Sequence, residues 1–105
     1  MALLTPTQIG MNTTITPGAA AASNTAVPDD RTWFEVTVGG TATTVVLVVP
    51  GTAYGVARGD VTTGSITSTT RRFGPLVADL ADPTTGLVEV TTSQQTAVTI
   101  ALVRI

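Results

Sequence analysis

From Thr32 the chain alternates, with Phe34, Val36 and Val38 on one side of an extended backbone and Trp33, Glu35 and Thr37 on the other. Successive side chains of a strand point to opposite faces, so this period of two predicts a strand with one apolar face. Gly39-Gly40 interrupts the pattern, and ATTVVLVV at 42–49 follows, a β-branched run too short for a helix and stopped by Pro50-Gly51. The two segments are expected to form a hairpin. Residues 51–64, GTAYGVARGDVTTG, hold four glycines and little alternation, which predicts a loop with room for one short strand. SITSTTRRF at 65–73 resumes an extended pattern up to Gly74-Pro75, and LVADLADPTTG at 76–86 leaves room for one helical turn before an Asp-Pro turn. Strands at 87–92 and 97–105 are joined by the turn SQQT, and the second of them is apolar on both faces for much of its length. That suits either a central strand or a terminal strand buried under a neighbouring subunit.

Residues 1–27 lack this regularity. Pro6, Gly10, Pro17 and Gly18 break them into short apolar pieces, with one short strand expected at 12–16 and a crossing loop at 18–28. The expectation is an all-β chain: a single small antiparallel β-sandwich or barrel-like domain at 28–105, preceded by an extended N-terminal arm and crossing loop at 1–27.

Composition narrows what such a domain does. With no Cys there is no disulfide or thiolate metal site, and with no His or Lys the usual bases for a Ser or Cys nucleophile are missing. The five Arg and seven acids leave a net charge of −2 and no basic stripe for phosphates, so direct nucleic-acid binding is not expected. The N-terminus lacks the basic start and long apolar centre of a signal peptide, and the longest strongly apolar run, 45–49, ends at Pro50, so a soluble chain with no membrane segment is expected. Charged residues are 11% of the chain, against about 25% in ordinary globular domains. Thr, Ser and Ala lose less rotamer entropy on burial than Lys or Glu, so this surface resists being covered less than most. A Thr-rich exposed sheet face and a partner interface both fit that composition.

The remaining chemistry is sparse. Glu35 and Glu89 are the acids that neighbouring strands would bring into the spacing of about 5–9.5 Å that glycoside hydrolysis needs. Each lies opposite an apolar face, where a solvated charge is expected, so no catalysis is expected. Asp29, Asp30, Asp60, Asp79 and Asp82 match no calcium-loop spacing, and turn chemistry accounts for Asp29-Asp30 and Asp82-Pro83, so neither metal nor cofactor is expected. Arg58-Gly59-Asp60 spells the tripeptide read by integrins but reads as a glycine turn between solvated charges, and Asn12-Thr13-Thr14 is an acceptor sequence for glycosylation in secreted chains only. Of Arg71-Arg72, Arg71 shares a face with Phe73 and one of the two is expected to pair with an acid. Trp33 and Phe34 point opposite ways: Phe34 belongs to the core, and Trp33 needs cover from a loop or a partner.

Four elements in order bear a family resemblance: the arm MALLTPTQIG, DDRTWFEV at 29–36, RRFGP at 71–75 and GLVEVTTSQQTAVTIALVRI at 86–105. Together they span nearly the whole chain, which resembles the small capsid decoration and minor capsid proteins of tailed double-stranded DNA bacteriophages. It departs from that pattern after Gly74-Pro75, where LVADLADP replaces an aromatic and further Pro. The resemblance implies a β-sandwich whose closing strands form a hairpin and which binds the outer surface of an assembled head, made in the host cytoplasm and reinforcing contacts between major capsid subunits. It also implies a homo-oligomer, with a trimer favoured. The expected contact residues are Ala2, Leu3, Leu4, Thr5, Pro6, Gln8 and Ile9 of the arm, Tyr54 in its exposed loop, and Trp33 and Arg71. A tail or head-to-tail connector component and a carbohydrate- or receptor-binding module are the alternatives.

Overall fold

Period-two alternation sorts the chain into two facing sheets. The computed structural model describes residues 2–10, 15 and 17–105. The strands are β1 (Ala2–Leu3), β2 (Pro6–Gln8), β3 (Gly18–Ala19), β4 (Ser23–Ala26), β5 (Thr32–Val38) and β6 (Thr43–Leu47). They continue with β7 (Thr52–Ala53), β8 (Val56–Ala57), β9 (Val61–Ile66), β10 (Thr69–Phe73), β11 (Val88–Thr92) and β12 (Val98–Arg104). A 3₁₀ turn at Ala78–Leu80 occupies the segment expected to hold one helical turn. The first sheet runs β1-β4-β11-β6-β9 and the second β10-β5-β12-β2, with β3 also on β12. A separate β7–β8 hairpin stands apart from both.

The inward faces make one core. Phe34, Val36, Val38, Phe73, Val98, Ile100 and Leu102 from the second sheet meet Ala26, Val45, Leu47, Val88 and Val90 from the first, with Leu76 closing one end. Fully burying a side chain of this size is worth about 1.5–3 kcal/mol, which makes the shared core the main source of stability. The all-β sandwich expected from the alternation is the observed fold, although its sheets are mixed. Most pairs are antiparallel, but β1 runs parallel to β4 and β2 parallel to β12.

Pairing departs from the sequence reading in a consistent way. The segments around Gly39-Gly40 form no hairpin, because β5 lies between β10 and β12 while β6 lies between β11 and β9. Both edges of β5 are filled, so β6 pairs in the other sheet. The closing pair β11 and β12 is likewise split between the sheets, and the single extended run read at 65–73 breaks at Ser68 (φ 49°) into β9 and β10 on opposite sheets. These three crossings brace each other: Gly39 N donates to Ala97 O at 2.9 Å and Ser68 N to Gly39 O at 2.8 Å. Ser93 N donates to Thr44 O at 3.0 Å, and the Gln95 side-chain amide donates to Thr92 O and Oγ1.

The crossing loop read at 18–28 contains β3 and β4 instead. The inward positions of β4 are Asn24 and Ala26, which carry no apolar signal, and Asn24 is tolerated there because the backbone satisfies it. Its Nδ2 donates to Ala21 O at 2.9 Å and Val90 O at 3.4 Å, and its Oδ1 accepts from Ala21 N at 3.0 Å. The arm is not free either: β1 borders the first sheet, β2 borders the second, and Leu4 between them packs on the core while its N–H donates to Thr25 O at 2.8 Å. Parallel pairing of a short segment leaves no alternation long enough to read. The strand expected at 12–16 lies outside the described residues except for Ile15, which belongs to no strand.

Two adjacent glycines separate the crossing from its surroundings. A Cβ on Gly39 falls 2.8 Å from Ala97 Cβ and 2.9 Å from Ala97 O, whereas one on Gly40 meets nothing within 4 Å. Gly39→Ala is expected to lower the unfolding free energy in urea by about 1–3 kcal/mol, the cost of overpacking. Gly40→Ala should change it by no more than about 0.5 kcal/mol, as exposed substitutions do.

Candidate partner interface

The outer face of the second sheet carries Trp33, Glu35 and Thr37 on β5, as the alternation required. Trp33 is in register with Val103 of β12 and Glu35 with Ala101 on one side and Arg72 on the other. Ala101 and Val103 are only 9% and 5% exposed although they face away from the core. The apolar outer face of the last strand therefore belongs to a central strand with cover on both sides. Beside it a groove of about 380 Å³ is lined by Ile9, Ile15, Trp33, Val103 and Ile105, with Glu35 and Arg72 at its polar side. Gly74 holds the indole from beneath, since a Cβ there would fall 2.8 Å from Trp33 Cδ2 and Cε3.

Charges are few and mostly engaged. Arg72, rather than Arg71, takes the acid: its Nε donates to Glu35 Oε2 at 3.0 Å, in a pair whose arginine is largely exposed and which contributes about 0–1 kcal/mol. Arg71 faces the same side as Phe73, as expected, and sits exposed on edge strand β10. Arg104 Nε donates to Asp29 Oδ2 at 2.8 Å and its Nη1 to Gln8 Oε1, tying β12 to the turn before β5 and to β2. Asp29 also accepts from Arg31 N at 2.9 Å, the turn chemistry read from the sequence. The hydrogen bond from Arg104, and then that from the Arg31 amide, hold the Asp29 carboxyl below its ordinary value of 3.8. Asp82 Oδ1 accepts from Thr84 N at 2.7 Å in its own turn.

The loop around Tyr54 is better ordered than its sequence suggests. β7 and β8 form a two-residue hairpin with Tyr54 (φ 53°) and Gly55 (φ 78°) at the tip, the positive-φ pair that such a turn demands. Tyr54 is fully exposed and Val56 largely so. Arg58 at the base is not a solvated charge: its Nε and Nη2 donate to Pro50 O at 2.9 and 2.7 Å. Its Nη1 reaches Asp79 Oδ2 at 2.6 Å and Nη2 reaches Asp79 O at 2.8 Å. Asp60 accepts from Val49 N at 2.8 Å, so both charges of the Arg58-Gly59-Asp60 tripeptide are occupied within the chain.

The two glutamates do not meet, for Glu35 is on the outer face of the second sheet and Glu89 on that of the first, where it accepts from Ser23 Oγ. Among the described residues no three acids gather as a metal-holding group, and no helix is long and apolar enough to cross a membrane. Of the expected contact residues, Leu3, Thr5, Pro6, Gln8 and Ile9 are exposed along the arm, Ala2 is half-buried and Leu4 serves the core. Trp33 and Tyr54 belong to separate places, the groove and the hairpin tip. The sequence reading missed Arg58 and Asp79, and also Val103 and Ile105, for which the two-faced apolar character of the last strand was the available signal. The chain matches no family model, no curated protein and no solved structure.

The Asp29–Arg104 tie makes stability depend on acidity. A carboxyl depressed in the folded state contributes stability above its unfolded pKa and loses it as pH falls through the folded value. Thermal melts should show Asp29→Asn less stable than the parent at neutral pH, with the gap closing as pH drops well below 3.8. A gap independent of pH would contradict the tie.

Proposed function

We propose that this chain is a structural protein of a bacteriophage virion, a decoration protein that binds the outer surface of the assembled head and reinforces contacts between major capsid subunits. The sequence resemblance suggests the class. The observation that carries the reading is the surface: among the described residues Leu3, Ile9, Val27, Tyr54, Val56, Val61, Val77 and Ile105 are large, apolar and exposed, in a chain with only 11% charged residues. Such a surface loses little on being covered. A sugar platform is less favoured, since Tyr54 is the one aromatic side chain fully exposed among the described residues.

The arm supplies the contact with the shell in this reading, as an edge rather than a free tail. β1 and β2 border the two sheets on the same flank, so Leu3, Pro6, Gln8 and Ile9 present a continuous, pre-ordered margin. Pre-ordering lowers the entropy lost on docking. The mechanism is linkage: a protein that binds the assembled lattice and not its free subunits stabilises each site by about 2.7 kcal/mol at a hundredfold excess over Kd. Repetition over the lattice turns modest affinity into strong reinforcement, and a decoration oligomer that engages several subunits at once raises its effective concentration as well.

Virions assembled with and without the chain test this directly. Complete particles should survive heating and osmotic shock that open the deficient ones, and should carry hundreds of copies on the head. Equal survival, or a location on the tail, would reject the reading. Deleting 2–9 is a poor probe because it removes β1, β2 and Leu4. Leu3→Asp, at an exposed position, should keep the parent melting temperature and reduce occupancy on the particle.

A further inference from the structure

Two strands end the sheets on one flank, β9 in the first and β10 in the second, joined by the corner at Thr67-Ser68. Among the described residues nothing pairs with their outer edges, and an open edge offers its backbone to any strand that comes alongside. β9 closes its own. Thr63 and Gly64 together oppose Val45, a bulge in which Gly64 has φ 69° and the Thr63 hydroxyl accepts from Val45 N at 3.1 Å. Gly64 N donates to Thr62 Oγ1 at 3.1 Å and Gly64 O accepts from Thr63 Oγ1 at 2.7 Å, so both of its backbone groups are already taken by neighbouring hydroxyls.

β10 has no such closure. Antiparallel strands turn the backbone groups of alternate residues to alternate sides. Gly39 N donates to Ala97 O and Ile105 N to Arg31 O at the two ends of the β5–β12 pair, so the odd-numbered residues of β5 bond to β12. Phe34, Val36 and Val38 then bond to Phe73, Arg71 and Thr69 on the other side. That leaves the N–H and C=O of Thr70 and Arg72 pointing out of the sheet edge. Between them lies Arg71, in register with the buried Val36 and therefore on the core-facing row with Phe73. It stays exposed because no described strand lies beyond it, and among the described residues no acid pairs with it.

We infer that Arg71 guards the β10 edge, keeping the edge strands of other copies from pairing with it. A strand bonded to Thr70 and Arg72 would extend the sheet over the Arg71 side chain and enclose its guanidinium beside the core. Withdrawing a charge from water without a partner opposes that strongly. The edge strands of another copy bring no partner, for VTTGSI of β9 and TTRRF of β10 contain no acid. Two β10 edges joined antiparallel through Thr70 and Arg72 would also set Arg71 against Arg71, and like charges directly opposite destabilise a strand pair. Arg72 does not share this role, since its side chain lies on the outer face with Glu35 and would stay in water. With only 11% of the chain charged and Thr, Val and Ile supplying most of β9, little else on this flank discourages pairing. The role belongs to the free protein and is independent of the shell reading.

The test compares free variants with the parent, whose own mass at each concentration is the baseline. In sedimentation from micromolar to submillimolar concentration, Arg71→Val and the milder Arg71→Thr should each associate at least about tenfold more tightly than the parent. Arg72→Val makes the same change of charge on the outer face and should stay at the baseline, as should Arg71→Lys, which keeps the charge. Hydrogen exchange reads the edge itself. In the parent the Thr70 and Arg72 amides should exchange fast and the Arg71 amide slowly; in associated Arg71→Val both outward amides should slow by about tenfold or more. Thr70→Pro added to Arg71→Val removes one outward N–H and should return the mass to the baseline. Position 71 is exposed, and melting temperatures no lower than the parent's confirm that the variants fold. Valine and threonine variants that stay at the baseline, an Arg72→Val variant that associates as tightly as they do, or association that leaves the Thr70 and Arg72 amides fast would each overturn the inference.

Discussion

Stability here rests on a single seam, where Phe34, Val36, Val38, Ile100 and Leu102 meet Val45, Leu47, Val88 and Val90 across the sandwich. Among the described residues no second source of comparable size is present. The chain has no cysteine to staple it, and its three ion pairs among the described residues are at least partly exposed, where solvent screening leaves each only a small net contribution. Domains of this length hide a smaller share of their surface than larger ones do, which leaves each buried side chain a large fraction of the margin. The strand registers, the crossings and the position of the groove all follow from keeping that seam closed.

One consequence is the topology. Strands adjacent in sequence face each other across the seam instead of pairing edge to edge at β5–β6, β9–β10 and β11–β12. Each crossing demands a sharp corner, and the corners supply the missing backbone partners for one another through Gly39, Ser68 and Ala97. The contacts that stabilise the core are therefore distant in sequence, a pattern associated with slow folding because loops must close before any of them form.

The outer surface obeys a different rule. Away from the seam, polar groups are used as braces: Arg58 on Pro50 and Asp79, Arg104 on Asp29 and Gln8, Asp60 on the Val49 amide. These tie loops to strands and leave apolar side chains such as Tyr54, Val56 and Ile105 facing outward. A chain with spare charge would have covered such positions with Lys or Glu. With so little charge these apolar side chains stay uncovered, and the braces fix the loops that carry Tyr54 and Val56.

Much of the chain was legible in its residues. Alternation identified β5 and β11, separated Phe34 from Trp33, and showed that the last strand is apolar on two faces; turn chemistry placed the bends at Asp29 and Asp82. Tyr54 could be read as exposed, but its brace could not, because Asp79 lies 21 residues from Arg58 and the other acceptor is a backbone carbonyl. The pairing of the arm and the strand β4 escaped notice for a related reason, since the arm strands are too short to show alternation, the inward positions of β4 are small or polar, and their partners are remote. A side-chain pattern specifies which face of a strand turns inward, because burial discriminates among side chains. Which edges join was decided only by the tertiary structure, because nearly every residue offers the same amide and carbonyl to whatever strand the packing brings alongside.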